Sequence, residues 1–256
     1  MICRHPSQGQ KLDVAGLNEI TVLIDRSETE RTEVAMNSWS PGLDGPPHAH
    51  DAKEQNFLVT SGRGEVVIGK ERFPAAPGDF FFVPAGVVHQ TVNLNPDQRL
   101  DYFLFNAFLD GDKEGHASFA DHIDKVKATR KEQATQQRAD ADVALAGRSA
   151  PGRRGLRVSL PASFAAGVVM ISRDDTERCE AVAWHLAPGK VAKLAPDAAK
   201  EQTLFVFSGD GTLEVGGERT AVRPRSTVFV PRNTTAILSA GPTGGLEVVS
   251  FGSLVR

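Results

Sequence analysis

Cysteine is scarce in this chain, long apolar runs are missing and basic charge is not in excess, and each shortage excludes a class of protein. Only Cys3 and Cys179 occur among 256 residues, too few for a disulfide framework and without CxxC spacing, so both are expected to be free thiols in a reducing compartment. The 29 Lys and Arg against 32 Asp and Glu give a net charge of -3. The two signs are interspersed, which leaves no basic footprint for a phosphate backbone, and nucleic acid is not an expected partner. No apolar stretch approaches the roughly 18 residues of a membrane span. Met1 to Pro6 show no apolar region behind Arg4, so a cytoplasmic protein without a membrane partner is expected. Neither a Gly-rich phosphate loop nor a Ser-His-Asp arrangement stands out.

What the chain does contain is short apolar runs rich in Val, Ile and Phe and bounded by Gly, Pro, Asn or Asp. Phe57 to Thr60, Gly64 to Ile68, Phe80 to Pro84 and Leu100 to Phe108 are of this kind, and the texture returns from Leu156 to Phe251. Such runs predict an all-β fold of many short antiparallel strands. Between the two sets, residues 117–146 are polar, free of Gly and Pro and rich in helix formers, which predicts a helix or a helical pair. The Gly147 to Gly155 stretch reads as a linker.

The two sets are also related to each other. KEQNFLVTSG at 53–62 resembles KEQTLFVFSG at 200–209, an offset of 147 that Gly42 and Gly189, Gly64 and Gly211, Gly69 and Gly216, and Pro84 and Pro231 keep. A gapless register of that length predicts duplicated barrels of about 100 residues each.

In the Pro47-His48-Ala49-His50 segment the histidines stand at i and i+2. On an extended strand that spacing turns both imidazoles to one face, as a shared metal ion requires. An HxH pair alone is weak. Around it, however, Gly42 is followed by five residues, His48, His50, four residues, Gln55, six residues and Gly62. Further on, Gly78 is followed by five residues, Pro84, Gly86, His89 and Asn93. On these two motifs the chain is identified as a member of the cupin superfamily, whose motifs they match at every position but the glutamate, here Gln55.

The resemblance implies two tandem cupin (jelly-roll) barrels, each of roughly six to eight strands, joined by a short helical linker. Residues 1–30 would form an arm and leading strands, 31–110 a metal-binding barrel, 111–155 the helical segment and linker, and 156–256 a degenerate barrel. It further implies one divalent transition metal per chain, Fe, Mn, Ni, Zn or Co, in the N-terminal barrel only, held by His48, His50, Gln55 and His89. Glu54 is the alternative to Gln55, but strand alternation sends it to the opposite face. A neutral amide in place of a carboxylate leaves the ion its full charge, which weakens its binding and raises its Lewis acidity. The offset sends His48, His50 and His89 to Ala195, Asp197 and Ala236, so a scaffold is expected of the second barrel rather than a metal-free pocket using Asp197 and Gln202.

Alternation puts Phe57 and Val59 on the face of Gln55 and Thr91 on the face of His89, as candidate pocket walls. Tyr102 is either a general acid or substrate hydrogen-bond donor, or an aromatic packed with its hydroxyl at the rim. His116 and His122, in the polar segment, are expected to be solvated, and His185 to be structural. The His-His-Gln-His set is similar to that of the bicupin isomerase of the bacilysin pathway. The leading expectation is therefore a metal-dependent cupin enzyme, isomerising, eliminating or hydrolysing a small oxygenated or anionic molecule as a homodimer. The alternatives are a quercetinase-like dioxygenase and a non-catalytic binding module.

Overall fold

The computed structural model describes residues 1–14, 16–113, 116–133, 156–159 and 167–255. The linker read at 147–155 and the second half of the polar segment lie outside them. The first half contains β1 (Ile2–Arg4), β2 (Gln10–Val14), β3 (Asn18–Ile24), β4 (Thr32–Trp39), β5 (Lys53–Ser61), β6 (Gly64–Ile68), β7 (Glu71–Ala75), β8 (Asp79–Val83), β9 (His89–Val92) and β10 (Leu100–Phe108). Helix α1 (Phe119–Gln133) follows. The second half contains β11 (Leu156–Ser159), β12 (Val168–Ile171), β13 (Cys179–Leu186), β14 (Val191–Leu194), β15 (Lys200–Gly209), β16 (Gly211–Val215), β17 (Glu218–Val222), β18 (Thr227–Val230), β19 (Ala236–Ala240) and β20 (Leu246–Leu254).

These strands build two barrels, as the duplication predicts. A seven-stranded sheet, β11-β8-β5-β10-β4-β3-β2, faces the three-stranded β7-β6-β9, and a six-stranded sheet, β1-β18-β15-β20-β13-β12, faces the four-stranded β14-β19-β16-β17. The register survives in the backbone: β4 and β13 run from Thr32 to Trp39 and from Cys179 to Leu186, both ends 147 residues apart. β10 and β20, from Leu100 and from Leu246, are 146 apart. The short strands β1 and β11 cross between the halves, β1 pairing with β18 and β11 with β8.

The two large sheets pack on each other, which explains why β5 and β8 are apolar on both faces. Leu58, Phe80, Phe82, Phe103 and Phe105 turn outward to meet Phe205, Phe229, Val249 and Phe251 of the other barrel. Phe57, Val59, Phe81, Tyr102 and Leu104 turn into the first lumen. Leu204, Val206, Leu213, Leu238 and Val248 fill the second. Burial of both faces removes the polar-out alternation that a half-exposed strand shows.

Two turn positions show how closely the duplicates agree. Gly62 and Gly209 have φ of 80° and 78°, and a Cβ on either would strike a backbone carbonyl, Arg99 or Gly245. Gly78 and Gly86 are replaced in the second barrel by Arg225 and Asn233, which nonetheless keep positive φ, 71° and 56°. The backbone has outlasted the residues that favour it.

Helix α1 is only superficially polar. Phe119 and Ile123, at i and i+4, are buried in the core of the first barrel. The Phe119 amide donates to Asp25 Oδ2 at 3.0 Å and that of Asp121 to the Ser118 hydroxyl at 3.2 Å, which satisfies two of the free N–H groups of its first turn. Among the described residues no helix is long and apolar enough to cross a membrane.

Candidate metal centre

The sequence-predicted histidines converge because two stretches of backbone are tied together. His48 and His89 form an isolated antiparallel bridge, the His48 amide donating to the His89 carbonyl at 3.0 Å and the reverse at 2.8 Å. The Gly86 amide donates to the His50 carbonyl at 2.8 Å. The HxH segment is thus held by a single bridge rather than by the regular strand that its spacing suggested. Offered ring nitrogens of His48, His50 and His89 lie within 4.8 Å of one another, with ring centroids 4.3 to 5.4 Å apart.

Their hydrogen bonds suit a cation. His48 Nδ1 lies 2.9 Å from the Pro46 carbonyl and His89 Nδ1 lies 3.1 Å from that of Val87. A carbonyl can only accept, so each Nδ1 carries the proton and each Nε2 keeps a lone pair. This is how ligating imidazoles are oriented in metal sites. His89 is 2% exposed, and its Nε2 is buried with no hydrogen-bond partner. Burial, helped by the Lys53 charge and the neighbouring His48 ring, pushes His50 and His89 well below the ordinary histidine range, so both are neutral, the form that binds metal. The three residues could hold a metal ion.

Gln55 is buried beside them. Its Nε2 donates to Asn106 Oδ1 at 2.9 Å, which leaves the amide oxygen as the atom to offer an ion. Asn106 in turn donates to Glu33 Oε1 at 2.7 Å. Glu54 faces the other way, accepting the Thr176 hydroxyl at 2.8 and 2.9 Å and lying 3.5 Å from the Cys179 sulfur. It is a contact between the barrels.

The histidines open onto a cavity of about 370 Å³, whose wall includes Gln55, Phe57, Thr91 and Tyr102. Val59 shares their face but is fully buried in the apolar cluster and does not line the cavity. Tyr102 is not at a rim: 3% exposed, its hydroxyl accepts from Asn37 Nδ2 at 2.9 Å and from Trp39 Nε1 at 3.0 Å.

The expectation that His116 and His122 are solvated is overturned. His116 Nε2 lies 2.7 Å from Oε2 of the fully buried Glu33. His122 stacks on His116 with centroids 4.4 Å apart and lines the cavity 5.9 Å from the His50 ring. Burial and the nearby Lys53 charge lower its pKa to about 2. Composition misled because the two apolar anchors of α1 are few enough to pass as incidental.

Lys53, which the sequence reading missed, is 4% exposed, lines the cavity and pairs with Glu33 Oε1 at 3.7 Å. It stands two residues before Gln55, so the alternation that placed Phe57 would have placed it too. Asn106 carried no such signal: it faces Gln55 only through the register of β10 against β5.

Residues 37–103 match the family model for the Cupin domain. An uncharacterized protein of Streptomyces coelicolor is 37% identical over 54 residues, 21% of this chain and 49% of the relative, so the match spans about half of that protein. Among solved structures, protein Ylba from E. coli has a TM-score of 0.70 at 12% identity, covering 99% of this chain and 90% of that one. AerE from Microcystis aeruginosa gives 0.64 at 13%, with 97% of both chains covered. Oxalate decarboxylase from Bacillus subtilis gives 0.66 at 14%, with 98% and 75% covered. Residues 37–103 thus carry a cupin domain, within a chain whose fold is that of two tandem cupin barrels.

Proposed function

We propose that the chain is a divalent-metal-dependent enzyme that isomerises, cleaves by elimination or hydrolyses a small oxygenated, anionic molecule in its first barrel. The observation that carries this reading is the buried, unpartnered Nε2 of His89 beside His48 and His50 at the head of a cavity. A bound ion, held by the three histidines and the Gln55 oxygen, would supply a Lewis acid for a carbonyl or carboxylate.

The remaining work falls to the chain. Asn106 fixes the Gln55 amide so that its oxygen is the end left to offer an ion. Lys53, held beside Glu33, supplies positive charge on the cavity wall, where low dielectric strengthens its attraction for an anion. Phe57, Leu104, Phe119 and Ile123 keep that wall apolar and exclude water. The donor set, similar to that of the bacilysin-pathway isomerase, favours a proton-shifting reaction over oxygen chemistry.

Purification without added metal, elemental analysis and assays on small keto acids test the proposal. About one transition metal per wild-type chain is expected, with His50→Ala losing the metal and the turnover while keeping its fold. Iron together with oxygen uptake on phenols, flavonols or diketones would replace this reading by a dioxygenase. A metal content unchanged in His50→Ala would remove the ligand assignment.

A further inference from the structure

One strand step beyond the histidines, a row of hydrogen-bonding side chains crosses the cavity wall, and its direction follows from the indole of Trp39 together with the amide orientations of Asn37 and Asn18. The Trp39 indole N–H can only donate, so Tyr102 oxygen accepts from it at 3.0 Å. The same oxygen accepts from Asn37 Nδ2 at 2.9 Å, which occupies both lone pairs and leaves the phenol proton for the Thr91 hydroxyl at 3.3 Å. With its nitrogen on Tyr102, Asn37 turns its oxygen to Asn18 Nδ2 at 2.7 Å. The row ends at Asn18 Oδ1. Asn18 is 3% exposed and lines the cavity, and this oxygen is buried with no hydrogen-bond partner.

A buried acceptor without a donor costs about 1–3 kcal/mol, and where a structure keeps one beside a cavity, a ligand donor can match it. The second barrel supports a link to ligand binding rather than to folding. At the positions of Asn37, Thr91 and Tyr102 it carries Trp184, Leu238 and Val248. The polar row and the histidines are thus lost together from a barrel that keeps its backbone.

We propose that Asn18 Oδ1 is a recognition site for a hydroxyl or amino group of the substrate, whose anionic end lies toward Lys53 and the histidines. The ligand class is then a short hydroxy- or amino-carboxylic acid. The cavity of about 370 Å³ keeps that acid short. This inference rests on the reading of the cavity as a substrate site and adds the second point of attachment.

Calorimetric titration of metal-loaded wild type and Asn18→Leu with butyrate, 4-hydroxybutyrate, 4-aminobutyrate, hexanoate and 6-hydroxyhexanoate tests it, with metal content measured on each sample. Wild type is expected to bind at least one substituted acid about tenfold more tightly than its parent. Asn18→Leu should abolish that preference while keeping the affinity for the parent acid and the metal content. Asn18→Ser, which restores a small acceptor, should recover part of the preference and serves if the leucine variant fails to fold. Equal preference in wild type and variants, or no discrimination by wild type, overturns the proposal. Metal-free wild type that still discriminates through Asn18 would remove the metal reading and leave this one standing.

Discussion

At the lumen-facing positions of β9 and β10 the first barrel carries His89, Thr91 and Tyr102, whereas the matching positions of β19 and β20 carry Ala236, Leu238 and Val248. One backbone therefore supports a cavity lined in part by polar groups in one half and a packed apolar core in the other. What the two halves keep in common is correspondingly informative. Glu33 and Lys53 recur as Glu180 and Lys200, which pair at 2.7 Å. That pair is about one-fifth exposed, while Lys53 and Glu33 are buried. Glu54 and Glu201 recur because each reaches across to the other barrel: Glu201 accepts the backbone N–H groups of Glu30 and Arg31 at 3.1 and 2.7 Å, as Glu54 accepts Thr176. Duplicated residues on the outer face of β5 and β15 serve the fold, and those that differ inside serve the site.

That contrast can be broken most forcefully in the packed lumen. Leu204 occupies the position of Phe57 and is fully buried. Leu204→Ala should cost about 3 kcal/mol in urea unfolding. Phe57→Ala removes more atoms but enlarges a cavity already present, so it should cost less. A Phe57→Ala penalty larger than that of Leu204→Ala would mean that the first lumen is as tightly filled as the second.

A smaller effect is expected at the interface. Glu201→Gln turns an amide donor toward two backbone donors and should lower stability by about 2 kcal/mol. Glu54→Gln, which keeps an acceptor for Thr176, should cost less and leave the metal content unchanged. Loss of metal in Glu54→Gln would move the ligand assignment from Gln55 to Glu54.

The smallest effect per residue is a sensitivity to acid centred on the cavity histidines of the first barrel. His50, His89 and His122 have folded-state pKa values held below the unfolded value of 6.5. As pH falls through 6.5 the unfolded chain takes up protons that the folded chain refuses, so stability present above that pH is lost below it. Between pH 7.5 and 5.5 chelator-treated protein should lose about 1 kcal/mol for each of these histidines. Replacing all three by Gln should flatten that part of the profile, and an unchanged slope would show that they ionise freely in the folded state.

The grouping of His48, His50 and His89 was legible because motif spacing is a local property of the chain, and the inward face of Gln55 because strand alternation is one too. The duplication was legible for the same reason, as a fixed offset. His116 and His122 were misread because their segment is polar on average, and the few apolar residues that bury them act only once a barrel is there to receive α1.

The sequence by itself determined two β-barrels, which of them carries the histidines, and which face of β5 each residue takes. These follow from composition, a repeat at a fixed offset, motif spacing and a period of two. Only the tertiary structure decided that Asn106 orients Gln55, that Glu33 holds Lys53 and His116, that α1 brings His122 to the cavity, and that Asn18 ends its polar row. Those contacts join residues far apart in the chain. Strand register and helix docking set such pairings, and no local pattern encodes them.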